Sequence, residues 1–447
     1  MDSNMKLSEK PLKVVIVGGS LAGLMCGIAL KHAGHTVEII EREGNERQSH
    51  MAGVCLGSDA EAYLARHDRH DKAFTHRSTR VQALKSDETI NVFVNMCREI
   101  TSWDTLYFRL RSCFDGYVSP YYPTPPASVE ADGAATYNCQ KEVLGITRES
   151  KSKMVLTVLN RDHGEISRKE ADLVIGADGP DSFVRAKYLP QTKREYVGYI
   201  AWRGTVPESE VSASTRKVFE RSVTVHMMHR HHCIMYTIPG PKGSLKPGER
   251  LLNFLWYTNE SPEALDEILT DGIDGHRHHN IVPAGHVRAE IWAARLEHAK
   301  GVPLPPPFLE AITKIRQPFL QAITELLSPR AAFEDGRVLL VGDALSLFRP
   351  HTAFSGTQAA FDALRVEDYV GGGMSARGWE EKVLRYASLH WSQTRWWGKY
   401  YQQPMGVALV SAVKYWGYCA VDRARSWWYG EAPLLRTSTF RVEEYES

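Results

Sequence analysis

Apolar positions along the chain change their period several times. Leu12–Val17 (LKVVIV) is a continuous, mostly β-branched apolar run, the pattern of a strand buried on both faces of a parallel sheet. A glycine-rich turn follows, and Leu21–Ala33 carries a helical pattern that stops at Gly34, a glycine suited to a helix C-terminus. Thr36–Ile40 (TVEII) predicts a second strand ending at Glu41, so the chain opens on a βαβ unit. The same shape, an apolar strand then a Gly/Asp turn, returns at Ala171–Gly179 (ADLVIGADG) and Arg337–Asp343 (RVLLVGD). A helical stretch follows the last of these, from about Ser355 to Tyr369. These strands are scattered over some 330 residues, so a second unit is inserted among them.

That second unit reads differently. Strand-like runs at Tyr199–Val206, His232–Ile238 and Leu251–Tyr257 are separated by the turn pairs Pro239-Gly240 and Pro247-Gly248, which predicts a mostly antiparallel sheet. Pro303–Pro307 (PLPPP) reads as a rigid connector, and the chain after Ser375 is helical in pattern and rich in tryptophan. The expectation is an α/β chain of three parts. A Rossmann-like dinucleotide-binding domain takes residues 12–84, 104–196 and 330–395. A mostly antiparallel β-sheet substrate domain takes 85–103 and 197–329, and a helical C-terminal segment takes 396–447.

Composition narrows the function classes. Lys+Arg 54 against Asp+Glu 53 leaves a net charge of +1, which argues against a nucleic-acid binder or a protein held to acidic membranes by charge. Seven cysteines without a CxxC pair argue against a disulfide framework or a structural zinc site, and suit a reducing, cytoplasmic compartment. The polar start, MDSNMKLSEKPLK, shows no signal peptide. The longest apolar stretch, Gly406–Val421, is broken by Lys414 and reads as a packed or interfacial helix rather than a membrane span.

The first turn, Gly18-Gly19-Ser20-Leu21-Ala22-Gly23, is a GxGxxG fingerprint with Ser20 at the second glycine position. Gly18 permits the tight turn, the small Ser20 lets a pyrophosphate approach, and Gly23 allows close helix–strand packing. The helix N-terminus then faces phosphate charge. Glu41, 18 residues after Gly23, is placed to accept hydrogen bonds from ribose hydroxyls and to repel a 2′-phosphate. The resident dinucleotide is therefore FAD or NAD, and the fingerprint does not separate the two.

Residues 171–185 (ADLVIGADGPDSFVR) resemble the DG motif of class A flavoprotein monooxygenases, and residues 336–363 (GRVLLVGDALSLFRPHTAFSGTQAAFDA) resemble their GD motif. The resemblance runs from about residue 12 to 395. Several substrate-domain stretches, among them VGYIAWRGTVPE (197–208) and RPHT (349–352), are similar to the branch that contains 2,6-dihydroxypyridine 3-hydroxylase. The resemblance implies FAD as cofactor and NADH or NADPH as transient reductant. It also implies hydroxylation by O2, through a C4a-hydroperoxyflavin, of a small phenol- or hydroxypyridine-like substrate. It assigns Asp343 to the ribityl chain, Gly356 and Thr357 to the pyrimidine edge, Pro350 to the reacting face, and Asp178 to the pyrophosphate region; Val54 and Val143 join the same cofactor set. Where many members carry an arginine that touches the pyrophosphate, this chain has Trp103, so Arg42 or Arg109 substitutes or the contact is absent.

The chemistry calls for a group that takes the proton of a phenol-like substrate, with a pKa of about 7. His351 is the first candidate, and His232 and Tyr236 follow on a substrate-domain strand. The clusters His226–His232 and His276–His279 read as surface or pocket-lining groups, with no metal. Seven of eleven tryptophans lie after residue 378, which suits helix packing or a homodimer surface. Flavin-dependent epoxidation, Baeyer–Villiger insertion, decarboxylative hydroxylation and a non-catalytic dinucleotide-binding role are the rival readings.

Overall fold

The computed structural model describes residues 10–45, 52–430 and 432–434. The first apolar run forms the strand Lys13–Val17, flanked by Thr36–Ile40 and Leu173–Gly176, all parallel. Val338–Leu340 and Ala135–Asn138 extend the sheet in parallel on either side, and Ala332–Phe333 closes one edge antiparallel. Val14, Val15 and Ile16 are fully buried, in a core that this sheet shares with the helix Leu21–His32 and with a three-stranded antiparallel sheet of Lys141–Arg148, Met154–Asn160 and Ile166–Ala171.

A larger, ten-stranded sheet runs Ile281–Val282, Phe319–Leu327, Glu195–Pro207, Leu251–Asn259, His231–Ile238, Ser222–Met228, His76–Leu84, Ile90–Ser102, Gly53–Leu56, with Ser346–Leu347 pairing beside it. It is antiparallel except where Ser222–Met228 meets His76–Leu84. Here the expected boundary at 84 moves. The strand Ile90–Ser102 is long enough to pair with both His76–Leu84 and Gly53–Leu56, and so draws both into the larger sheet.

One face of this sheet packs Trp202, Phe254 and Trp256 beneath the helices Ala289–Gly301 and Pro306–Thr313. The expected proline connector thus becomes a helix start, since proline suits the first helical turn. The opposite face carries Tyr199, Ala201, Leu255, Tyr257 and Ile323 as a separate cluster. The helix Ala376–Gln402 spans the expected boundary at 395 without a break. It stacks Tyr386 on Phe361, their centroids 3.7 Å apart, and reaches Glu325 of the larger sheet through Arg395. The last helix, Met405–Tyr429, folds back on it through Tyr415 and Cys419.

The two sequence ends of the nucleotide domain meet at one contact. Gly342 has φ +59°, and a Cβ there would lie 2.7 Å from the Cβ of Ala22. Gly342→Val is expected to lower stability by about 2–4 kcal/mol, read as a fall in the urea midpoint. An unchanged midpoint would show that the contact is not tight.

Candidate active site

The three Gly/Asp turns converge. Gly18 has φ +99°, and a Cβ there would strike the Ala177 carbonyl oxygen at 2.4 Å and Asp178 Cα at 2.7 Å. With Gly342 against Ala22, the turns at 18, 178 and 342 surround the start of the helix Leu21–His32. Ser20 is the N-cap of that helix, and its hydroxyl caps none of the first-turn N–H groups. The helix Ser355–Val370 also starts without a side-chain cap. A Cβ at Gly356 would meet Val54 at 3.1 Å, and Gly57 N–H donates to Thr357 Oγ1 at 3.0 Å, so Val54, Gly356 and Thr357 stand together.

These residues fit a flavin dinucleotide. Asp343 is partly exposed beside both helix starts, and burial pushes its carboxyl up to about 6, against the pull of Arg194. No hydrogen bond to its side chain occurs among the described residues, which leaves an acceptor for the hydroxyls of a ribityl chain. The two uncapped helix N-termini offer partial positive charge, one for a pyrophosphate and one for an electron-rich ring edge.

Other expected residues already have partners. Glu41 is buried, and its carboxylate accepts from Gly19 N–H (2.7 Å) and Glu43 N–H (3.0 Å), so it shapes the fingerprint turn. Arg42 is exposed, 3.4 Å from Glu43. Asp178 accepts from the Ser182 hydroxyl and from Val184 N–H (3.0 Å), holding the start of the helix Phe183–Tyr188 while it borders Gly18. The side chain of Val143 is buried in the core. Arg109 is not free for a pyrophosphate. Its guanidinium pairs with Asp68 (2.7 Å) and donates to the Lys72 and His70 carbonyls and the Tyr122 hydroxyl. Two residues on, Arg111 lies 3.6 Å from the ring centre of Tyr137, whose hydroxyl donates to the Gly19 carbonyl at 2.7 Å. Arg111 thus stands beside the fingerprint through Tyr137, with its own charge paired to Asp115 at 2.9 Å, and the sequence missed this placement because two arginines on one helix look alike until their partners are known.

Pro350–Thr352 form a single turn whose His351 Nε2 lies 2.7 Å from the Tyr199 hydroxyl, while Nδ1 is buried without a partner among the described residues. Burial, with Arg349 beside it, pushes His351 down to about 3. His232 is fully buried between Tyr257 and Tyr401, with centroids at 4.7 and 4.1 Å, and its ring centre is 5.3 Å from that of His351. Gln402 Nε2 donates to His232 Nδ1 at 3.1 Å, which leaves the proton on Nε2. Burial holds His232 well below the usual histidine range and raises the Tyr236 hydroxyl. The expected base with a pKa of about 7 is therefore corrected: desolvation keeps both imidazoles neutral and makes them poor proton acceptors.

Two surface cavities of about 560 and 640 Å³ lie elsewhere, one lined by Trp202, His231 and Arg295, the other by Phe333 and Glu380. The one group among the described residues able to hold a metal ion is Asp271 with His278 and His286. Both rings hydrogen-bond one carboxylate oxygen, at 2.6 and 2.8 Å.

The chain is similar to known proteins. Residues 13–161 match the FAD binding domain family and residues 196–325 an FAD binding domain-like family. A 2,6-dihydroxypyridine 3-monooxygenase of Paenarthrobacter nicotinovorans is 28% identical over 397 residues, 86% of this chain and 90% of that protein. The chain belongs to the class A flavoprotein monooxygenases. FAD is the cofactor of this monooxygenase. The solved 2,6-dihydroxypyridine-3-hydroxylase of Arthrobacter nicotinovorans superposes with a TM-score of 0.74 at 26% identity, over 89% of this chain and 94% of that one. A salicylate hydroxylase in a substrate complex shares the fold, with a TM-score of 0.64 at 19% identity over 96% of this chain and 97% of that one.

The raised Asp343 pKa fixes a sign. The folded chain keeps a proton that the unfolded chain releases near its ordinary pKa of ~3.9, so stability falls as pH rises from there to about 6. Asp343→Asn is expected to raise the melting temperature of the apoprotein at pH 7.5 but not at pH 4, while weakening FAD binding by about tenfold. A variant that melts alike at both pH values, relative to the parent, would remove the burial argument. Arg109→Ala is expected to cost about 3–5 kcal/mol while the folded fraction keeps its FAD. Flavin loss without destabilisation would return Arg109 to the pyrophosphate.

Proposed function

We propose that this monooxygenase hydroxylates an electron-rich, anionic aromatic or heteroaromatic ring, phenol- or hydroxypyridine-like, with NAD(P)H and O2. FAD, when bound, supplies the redox chemistry that places one oxygen atom on the ring and releases the other as water. The 2,6-dihydroxypyridine and salicylate hydroxylases among its relatives support the substrate class. Seven free cysteines support a reducing, cytoplasmic setting.

One observation carries the anionic reading. Arg98 and Arg203 both bear on Tyr236, and neither has a carboxylate partner among the described residues. Arg203 instead donates to the Gln321 side-chain oxygen at 3.2 Å, and its Nε is buried without a partner. Both guanidiniums are half-buried, and a bound carboxylate or phenolate oxygen would supply the counter-charge that the described residues do not. On the same sheet face, Tyr199, Tyr236 and Tyr257 supply ring surface.

His351 belongs to this reading as a donor. The Arg349 guanidinium interacts with the Tyr199 oxygen, so the Tyr199 hydroxyl directs its own proton to His351 Nε2. A neutral imidazole that accepts at Nε2 carries its proton at Nδ1. That N–H is suited to hold a substrate oxygen beside Pro350, and the substrate then arrives already ionised.

The test is NAD(P)H oxidation with matched anionic and neutral rings, with product mass read for one added oxygen. Hydroxybenzoates or ionised hydroxypyridines are expected to exceed their amides or ethers by at least about tenfold in kcat/KM. Arg203→Met is expected to raise KM for the anions about tenfold or more and to leave the neutral analogues unmoved. Equal turnover of both sets would overturn the anionic reading, and no oxygenated product would overturn hydroxylation itself.

A further inference from the structure

The last helix presents an apolar face to solvent. Among the described residues, 22 large hydrophobic side chains are exposed, and 11 of them lie on Met405–Tyr429. Trp427 and Trp428 are 82% and 76% exposed. With Trp416, Tyr418 and Tyr429, these five aromatics alone present on the order of 600 Å² of mostly apolar surface, as much as the largest patch on a typical monomer. The helix docks through Ala408, Ser411, Tyr415, Cys419, Asp422 and Ser426, and at about 100° per residue the opposite side centres on Gly417.

Gly417 is the second observation. It stands in mid-helix, where glycine costs about 1 kcal/mol against alanine, yet a Cβ there would meet nothing within 4 Å. Among the described residues, no neighbour requires its small size. A backbone approaching from outside would.

We propose that this face is a homodimer interface, in which the helix Met405–Tyr429 packs antiparallel on its copy about a two-fold axis at Gly417. In an isologous pair of this register, residues whose numbers sum to twice 417 face each other. Gly417 meets Gly417, Val413 meets Val421, Val410 meets Ala424, and Trp428 meets Gly406, whose own Cβ position is also open. The bulkiest exposed side chain on the central line, Trp428, opposes a glycine, the other exposed pairs (Trp427 with Val407, Tyr429 with Met405, Trp416 with Tyr418) are apolar on both sides, and the closest approach falls on Gly417. The cations do not meet one another: Lys414 faces Ala420 and Arg425 faces Leu409. A lipid surface would cover the same apolar face but gives no role to Gly417.

The holoenzyme is expected to sediment at twice the 50.4 kDa chain mass at micromolar concentration. Gly417→Arg, at a position open in the monomer, is expected to sediment as a monomer with its far-UV spectrum and its flavin unchanged. Gly417→Cys is expected to cross-link to itself on mild oxidation, whereas Lys414→Cys and the parent chain do not. Three results would overturn the proposal: a monomeric parent chain, a Gly417→Arg variant that remains dimeric, or a parent chain that pellets as a monomer with phosphatidylserine vesicles.

Discussion

The approach of three glycine turns governs this molecule. Gly18 lies against the Ala177 carbonyl, and Gly342 lies against Ala22. Any side chain at either position would separate strands that come from opposite ends of the chain. The parallel sheet supplies the force, since Val14–Ile16, Val174–Ile175 and Val338–Leu340 are fully buried and lose their apolar contacts if the turns part. Holding those turns together sets two uncapped helix starts and Asp343 around one place. Cofactor binding is thus a consequence of core packing.

The larger sheet uses its two faces for different ends. One is sealed by helices over Trp202 and Trp256, and the other meets the nucleotide domain with tyrosines and two guanidiniums. Desolvation makes this second face selective. It keeps His232 and His351 neutral, so positive charge there comes from arginine rather than histidine. Arg349 is matched by Glu325, to which Arg395 also binds. Among the described residues Arg98 and Arg203 have no such match, and the proposed anionic substrate would supply one.

Much of this was legible in the sequence. The glycine turns declare themselves because positive φ and close backbone approach admit few other residues, and each follows a strand too apolar to sit anywhere but a buried sheet. Two features were hidden for different reasons. The allegiance of His76–Leu84 depends on which partner strand is long enough, a property of Ile90–Ser102 rather than of the strand itself. The division of labour between Arg109 and Arg111 depends on Asp68 and Tyr137, remote in sequence and visible only once folded. The titration of His351 was misjudged because burial, not residue type, sets it.

The most direct measurement is equilibrium titration of the apoprotein with FAD, followed by flavin fluorescence, then addition of a hydroxybenzoate anion to the saturated complex. The account requires one FAD per chain and a perturbed flavin spectrum on adding the anion. Failure to bind FAD at any stoichiometry, in a chain whose circular dichroism shows it folded, would contradict it.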